Sequence, residues 1–499
     1  MSRPEPAPCI SGGFTAAAEG AVLEMVMKPP TRQGITMAEE YRSARDTMGE
    51  MRLPLHALWG AQTQRAVENF PVSGEGVPIE VIHALALVKW AAAIANEEAE
   101  VVGGELAKAI REAAEEVVRG QHDDQFPIDV FQTGSGTSTN MNLNEVIANR
   151  AGQLLGDEIG SSRVHPNDHV NASQSSNDTF PSAVHIAAAQ LATEQLLPAL
   201  EVAADALAQK AREWTDVTKP GRTHLMDAIP VTLGQEFGGY ARQITLGIAR
   251  VRRALESVYE LPLGGTAVGT GLNAPSSFAS RAVGVIAEVT GLPFREAENH
   301  FEQQGARDAL VELSGALKTV AVSLFKIAND VRWLSSGPRT GLNELNLPAI
   351  QPGSSIMPGK INPVIPESVR QVAAQVIGND SATTVGGLAG ELELNVMIPL
   401  MARNVIESLK LLAAVSRLFV EKCLRDATAT EMGSRYVERS LMAVTALAPE
   451  IGYERAARLA KLAMEQDKTL REVALADGVD EETLGRVLDH RRMAEGGIV

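Results

Sequence analysis

The segment Gly353-Ser354-Ser355-Ile356-Met357-Pro358-Gly359-Lys360-Ile361-Asn362 concentrates hydroxyls, an ammonium and a carboxamide in ten positions. Two glycines, Pro352 and Pro358 and paired serines specify a loop, and Pro366-Glu367 opens the next helix. Such a loop also offers free backbone N–H groups. Together these suit a carboxylate that gains negative charge during a reaction. A phosphate loop, G-x-x-x-x-G-K-[ST], is the nearest rival. The spacing misses it by one residue, and Ile361 stands where Ser or Thr is needed. A plain Gly/Pro connection between helices is the other reading that the residues allow.

Three more segments carry candidate chemistry. Gln132 to Asn140 is a Gly- and hydroxyl-rich loop ahead of a helix over Met141–Arg150. Its backbone donors can cradle an anion, or it can simply cap that helix. It is not a nucleophile elbow, because Gly134 directly precedes Ser135. From His165-Pro166-Asn167-Asp168 to Ser175-Ser176-Asn177-Asp178 polar side chains dominate. His165, Asp168 and His169 make a poor metal set, since hard cations want more carboxylates and zinc a tighter His/Cys group. In Gly221-Arg222-Thr223-His224 the histidine stands just before a long helix, where a structural role is the ordinary reading. Imidazole, titrating near ~6.5, also serves as a general base.

The elements that must position these residues read as mainly α. The 499-residue chain has 45% hydrophobic, 21% charged and 4% aromatic residues, and is rich in Ala and Leu, the strongest helix formers. Helices are expected over 79–100 and 105–119. Longer ones follow over 182–214, 233–260, 306–334, 366–380 and 396–425, several of about 25–35 residues against a usual ~11–12. Helices that long pack lengthwise in a bundle. Shorter ones are expected over 453–466, 470–476 and 481–488. The division is a Pro/Gly-rich disordered extension (1–36, with Met37 as a candidate start), an N-terminal domain (37–175), a central helical bundle (176–431) and a small C-terminal helical domain (432–499).

Other classes are excluded on composition. A net charge of −17 and no local basic patch argue against nucleic acid. No apolar run reaches ~18 residues, so no membrane span is expected. The start of the chain fits neither an export signal nor a transit peptide, which leaves a cytoplasmic location. Cys9 and Cys423 are too few for a disulfide framework or an iron–sulfur cluster.

Taken together, the four segments resemble the fumarase/aspartase superfamily, and within it the class II fumarases, from about Tyr41 to Leu488. Trp59 to Arg65, Gln121 to Pro127 and Gly264 to Asn273 add to the match. The resemblance implies a mainly α fold with a long central helical bundle flanked by smaller N- and C-terminal domains. It implies a homotetramer whose active sites are shared among three subunits, with no cofactor and no metal. The implied reaction is reversible anti hydration of fumarate to L-malate through an aci-carboxylate, a tricarboxylic acid cycle activity. Ser354 is then the general base, Lys360 and Asn362 hold the developing charge, and His224, oriented by Glu367, handles water. Ser135, Gly136, Thr137, Ser175, Ser176, Asn177, Thr223, Ser355 and Ile361, with Lys360 and Asn362, bind the dicarboxylate. His165, Pro166, Asn167 and Asp168 match a second dicarboxylate site, whose usual basic residue is displaced here, with Arg163 close by.

Aspartate ammonia-lyase is the nearest competitor within the superfamily, and Gly341 to Pro348 has its flavour. Aspartases usually carry Gln at the position of His224, Ala at Gly359, and Ser-Thr at Ser175-Ser176. A non-catalytic helical scaffold is the reading from another class; the presence of every named catalytic position argues against it.

Overall fold

The computed structural model describes residues 41–497. The expected disordered extension, residues 1–36, lies outside the described residues. The described chain opens with an antiparallel hairpin, β1 (Tyr41–Asp46) and β2 (Gly49–Pro54). Helix α1 (Ile79–Glu98) follows, then α2 (Gly104–Val118), with Gly103 at the break that the sequence marks. Helix α1 is long and apolar enough to cross a membrane by composition. It is instead packed inside the protein, its residues buried on all sides against neighbouring helices. Helix α3 (Thr137–Leu154) begins inside the Gly-rich loop rather than after it.

Five helical runs make the bundle. The first is α4 (Ser176–Leu191) continued by α5 (Leu197–Glu213) through a π turn at Ala192–Leu196. That turn sits just before Pro198, whose ring nitrogen cannot complete the helical ladder. The others are α6 (Leu233–Val258), α7 (Asp308–Leu334), α8 (Val364–Gly387) and α9 (Ile398–Phe419), which ends in a second π turn. At 1.5 Å per residue the longest spans about 40 Å. Each lies along its neighbours: α5 on α6, α6 on α7, α7 on α8, α8 on α9 and α9 back on α5. The buried stripes of α6 and α7 repeat at three and four residues, as in Phe237, Tyr240, Ala241 and Ile244.

Helix α4 starts six residues earlier than the sequence reading, at Ser176. A capping box between Ser175 and Asp178 fixes the first turn, ahead of Pro181. A larger difference concerns residues 218–232. They form a hairpin, β3 (Thr218–Thr223) and β4 (Met226–Thr232), between the helices expected over 182–214 and 233–260, with Pro220 and Pro230 paired within it. The prolines are accepted because this two-stranded sheet has open edges, and a bulge separates Pro220 from Arg222.

One apolar core runs through the N-terminal helices and the bundle, from Leu53 to Ala427. A second, smaller core runs from Ala443 to Met493. It is built by helices including α10 (Tyr453–Gln466), α11 (Leu470–Ala476) and α12 (Glu481–Val487).

Candidate active site

The candidate residues gather in three clusters. The first joins the Gly-rich loop to the start of α4. Thr137 Oγ1 lies 2.7 Å from both Ser135 Oγ and Ser176 Oγ, so the three hydroxyls form one chain. Asn177 Nδ2 donates to Ala267 O at 2.8 Å, which brings in the 264–273 loop. Gly136 is required on two counts: its φ is +76°, and a Cβ there would lie 2.3 Å from the Phe180 ring. Asp178 fastens the cluster from behind. Its fully buried carboxylate accepts from Ser175 N at 2.9 Å, Gly264 N at 3.0 Å and Thr266 N at 2.9 Å. Burial pushes its pKa up to about 6 against those hydrogen bonds.

The second cluster is the 353–362 loop. Gly353 N donates to Lys360 O and Asn362 Nδ2 to Gly353 O, both at 2.7 Å, closing the loop at its base. Gly359 turns it with φ +80°. Inside, Ile356 N and Met357 N both donate to Ser354 Oγ, at 3.2 and 3.0 Å. A serine oxygen receiving two backbone donors is a serine whose anion is stabilised. Ser355, Lys360 and Ile361 are exposed, and the Lys360 ammonium has no carboxylate partner among the described residues. Lys360, Asn362 and Glu367 border an open cleft of about 570 Å³ together with Trp333 and Ser336.

The third cluster is the tip of the β3–β4 hairpin. Thr223 pairs with Met226, so His224 and Leu225 form a two-residue turn, with φ of +55° and +63°. Two consecutive positive φ values define the turn that suits strand twist, and they are normally filled by Asn and Gly. Thr223, His224 and Leu225 all project into solvent. The sequence reading placed His224 in a lead-in to a helix; it stands instead at a hairpin tip with a strained backbone, a location typical of functional groups. The cleft below the tip, bordered by Arg222, Leu225 and Tyr436, shares Trp333 and Ser336 with the cleft of the second cluster. Among the described residues no hydrogen bond or ion pair joins His224 to Glu367, and the hydroxyl cluster borders neither cleft.

The proposed second dicarboxylate segment forms a π-helical turn, Pro166–Val170. His165 Nδ1 accepts from Asp168 N at 3.1 Å, and His165 N donates to His169 Nδ1 at 2.9 Å. Asn167 and Asp168 are exposed. Arg163 is engaged elsewhere, 2.9 Å from Glu105 and 3.9 Å from Asp157.

Two supporting groups escaped the sequence reading. Glu344 is buried, with Arg222 Nη2 at 2.7 Å and Lys219 Nζ at 3.3 Å, and so ties the strand below His224 to the segment leading into the 353–362 loop. Lys89 is buried in α1 and donates to Asn171 and Gln174 behind the first cluster. Its signal was present: a lone lysine inside an apolar helical run. One other matching motif has a structural role. Glu145 receives Gly60 N, Gln62 N and Thr63 N, which explains the Trp59 to Arg65 stretch.

A family model described as "Lyase" matches residues 49–378, and one described as "Fumarase C C-terminus" matches 444–495. The class II fumarate hydratase of Mycobacterium tuberculosis is 58% identical over 462 residues, covering 91% of this chain and 96% of that protein. The chain belongs to the class II fumarate hydratases. The mitochondrial fumarate hydratase of Danio rerio is 54% identical over 452 residues, 89% of either chain. Among solved structures, the class II fumarase from Schistosoma mansoni superposes with a TM-score of 0.89 at 40% identity. That match covers 91% of this chain and 99% of that one. In this class II fumarate hydratase one chain carries the hydroxyl cluster, the serine loop and the histidine tip on different elements.

Proposed function

We propose that the protein interconverts fumarate and L-malate by anti addition and elimination of water. The difficult step is removal of a weakly acidic C–H next to a carboxylate. Ser354 Oγ takes that proton, and the electron pair moves into the neighbouring carboxylate to give an aci-carboxylate. Lys360 and Asn362 meet the added charge. On the opposite face His224, oriented by Glu367, protonates the departing hydroxyl, or activates water in the reverse direction. Ser135, Thr137, Ser175, Ser176 and Asn177 hold the carboxylates. The observation that carries this reading is the pair of N–H donors on Ser354, since a serine is a useful base only where its anion is stabilised.

The same proposal includes cytoplasmic residence and a homotetramer with active sites shared among three subunits. Its support is that the hydroxyl cluster borders neither cleft, and that no hydrogen bond or ion pair among the described residues joins His224 to Glu367. Exposed apolar side chains beside them point the same way: Leu225 and Met226 at the hairpin, Ile356 and Ile361 on the loop, Val322 and Val385 on the bundle. Mixing inactive variants tests both parts. Ser354→Ala and His224→Asn should each lower kcat by roughly 10²–10⁴-fold. Dissociated and reassembled together, they should regain activity, because some mixed sites receive both intact groups. Full activity of Ser354→Ala would remove it as the base, and no gain on mixing would place each site within one chain.

A further inference from the structure

We propose that Lys89 is a positioning residue for dicarboxylate binding: its ammonium holds the 171–177 segment in place and supplies the positive charge that the hydroxyl cradle lacks. This rests on the reading of Ser135, Thr137 and Ser175–Asn177 as that cradle. Lys89 is 0% exposed, in the middle of α1. Its Nζ donates to Asn171 Oδ1 at 2.9 Å and to Gln174 Oε1 at 3.1 Å. Asn171 Oδ1 also accepts from Asn140 Nδ2 at 3.1 Å and Asn144 Nδ2 at 3.2 Å, both on the helix that begins at Thr137. Gln174 Nε2 in turn donates to Val170 O and Ala172 O. One ammonium therefore organises both walls of the cradle through a shell of carboxamides. The cradle itself contains hydroxyls, amides and backbone groups but no cation.

A buried charge without purpose is costly, which makes its retention here informative. The charged group that faces Lys89 is Asp178, on the first turn of α4; its hydrogen-bond partners are the neutral Asn171 and Gln174. Burial pushes Lys89 down to about 7, with Asp178 opposing the shift. The positive charge behind the cradle is thus present below neutrality and fades above it.

The test uses succinate, an unreactive dicarboxylate, as a competitive inhibitor of the full-length enzyme between pH 6 and 9, with KM and kcat for fumarate measured alongside. Wild-type affinity for succinate should fall by about tenfold over this range, the effect of one charge acting across a side-chain shell at an effective dielectric of ~20. Lys89→Met and Lys89→Gln should bind about tenfold more weakly at pH 6, lose the alkaline decline, and raise KM more than they lower kcat. Folded variants that bind succinate like wild type at pH 6 would overturn the proposal. If neither variant folds, a wild-type affinity that stays flat from pH 6 to 9 overturns it. Thr137→Ala and Ser176→Ala separate the two readings. If they leave succinate binding unchanged, the cradle itself is wrong; if they weaken it while the Lys89 variants do not, only the role of Lys89 fails.

Discussion

At the scale of single residues, the site is made of groups held in conformations that ordinary loops avoid. His224 and Leu225 both take positive φ, and Gly359 turns the serine loop at +80°. Space does not constrain Gly359, since a Cβ there would meet nothing within 4 Å. Backbone geometry does, because an L-residue in that region costs roughly 1–2 kcal/mol. Gly359→Ala should therefore leave thermal unfolding almost unchanged, as the loop is exposed, yet lower kcat/KM by about tenfold through displacement of Ser354 and Lys360. Steady-state kinetics beside a melting curve check this; an unchanged kcat/KM would show that the loop tolerates the strain.

At the scale of elements, polar clamps register the helices that carry the cradle. Glu116 on α2 binds Arg150 on α3 in a two-point contact, at 2.6 and 2.9 Å, and also meets His122. Arg150 first, and His122 after it, hold this carboxyl down from 4.5 to about 2 despite partial burial. A depressed carboxylate stabilises the fold above its ordinary pKa and loses that contribution as pH falls toward the folded value. Glu116→Gln should thus cost about 2 kcal/mol at pH 7, with the gap from wild type closing between about pH 4.5 and 2. Denaturant unfolding at several pH values reads it; a gap constant with pH would mean that packing, not charge, sets the loss. The elements themselves were unevenly legible. Long periodic helices such as Asp308–Leu334, and the short Tyr453–Gln466, follow from apolar spacing alone. The β3–β4 hairpin did not, because Pro220, Gly221 and Pro230 mask its strand pattern and its turn lacks the usual Asn-Gly. The serine loop was legible as chemistry because its residue types have few other uses together. Glu344 was not, because its importance comes from a partner 122 positions away, and Lys89 shows in the sequence only as a lone lysine in an apolar run, its partner lying 82 positions away.

At the scale of the molecule, the bundle explains why the candidate polar motifs, from Ser135 to Glu367, are spread over more than two hundred positions. Long parallel rods bring distant segments to common levels, while the hairpin and loops project from them. Among the described residues the hydroxyl cluster borders neither of the two clefts, and the proposed sites draw on neighbouring copies to complete them. Purified protein given fumarate should show loss of fumarate absorbance with L-malate accumulating in equal amount, and should release no ammonia from aspartate. Ammonia release from aspartate with no change in fumarate would contradict the account, and would make the His224 hairpin the first part of it to be redrawn.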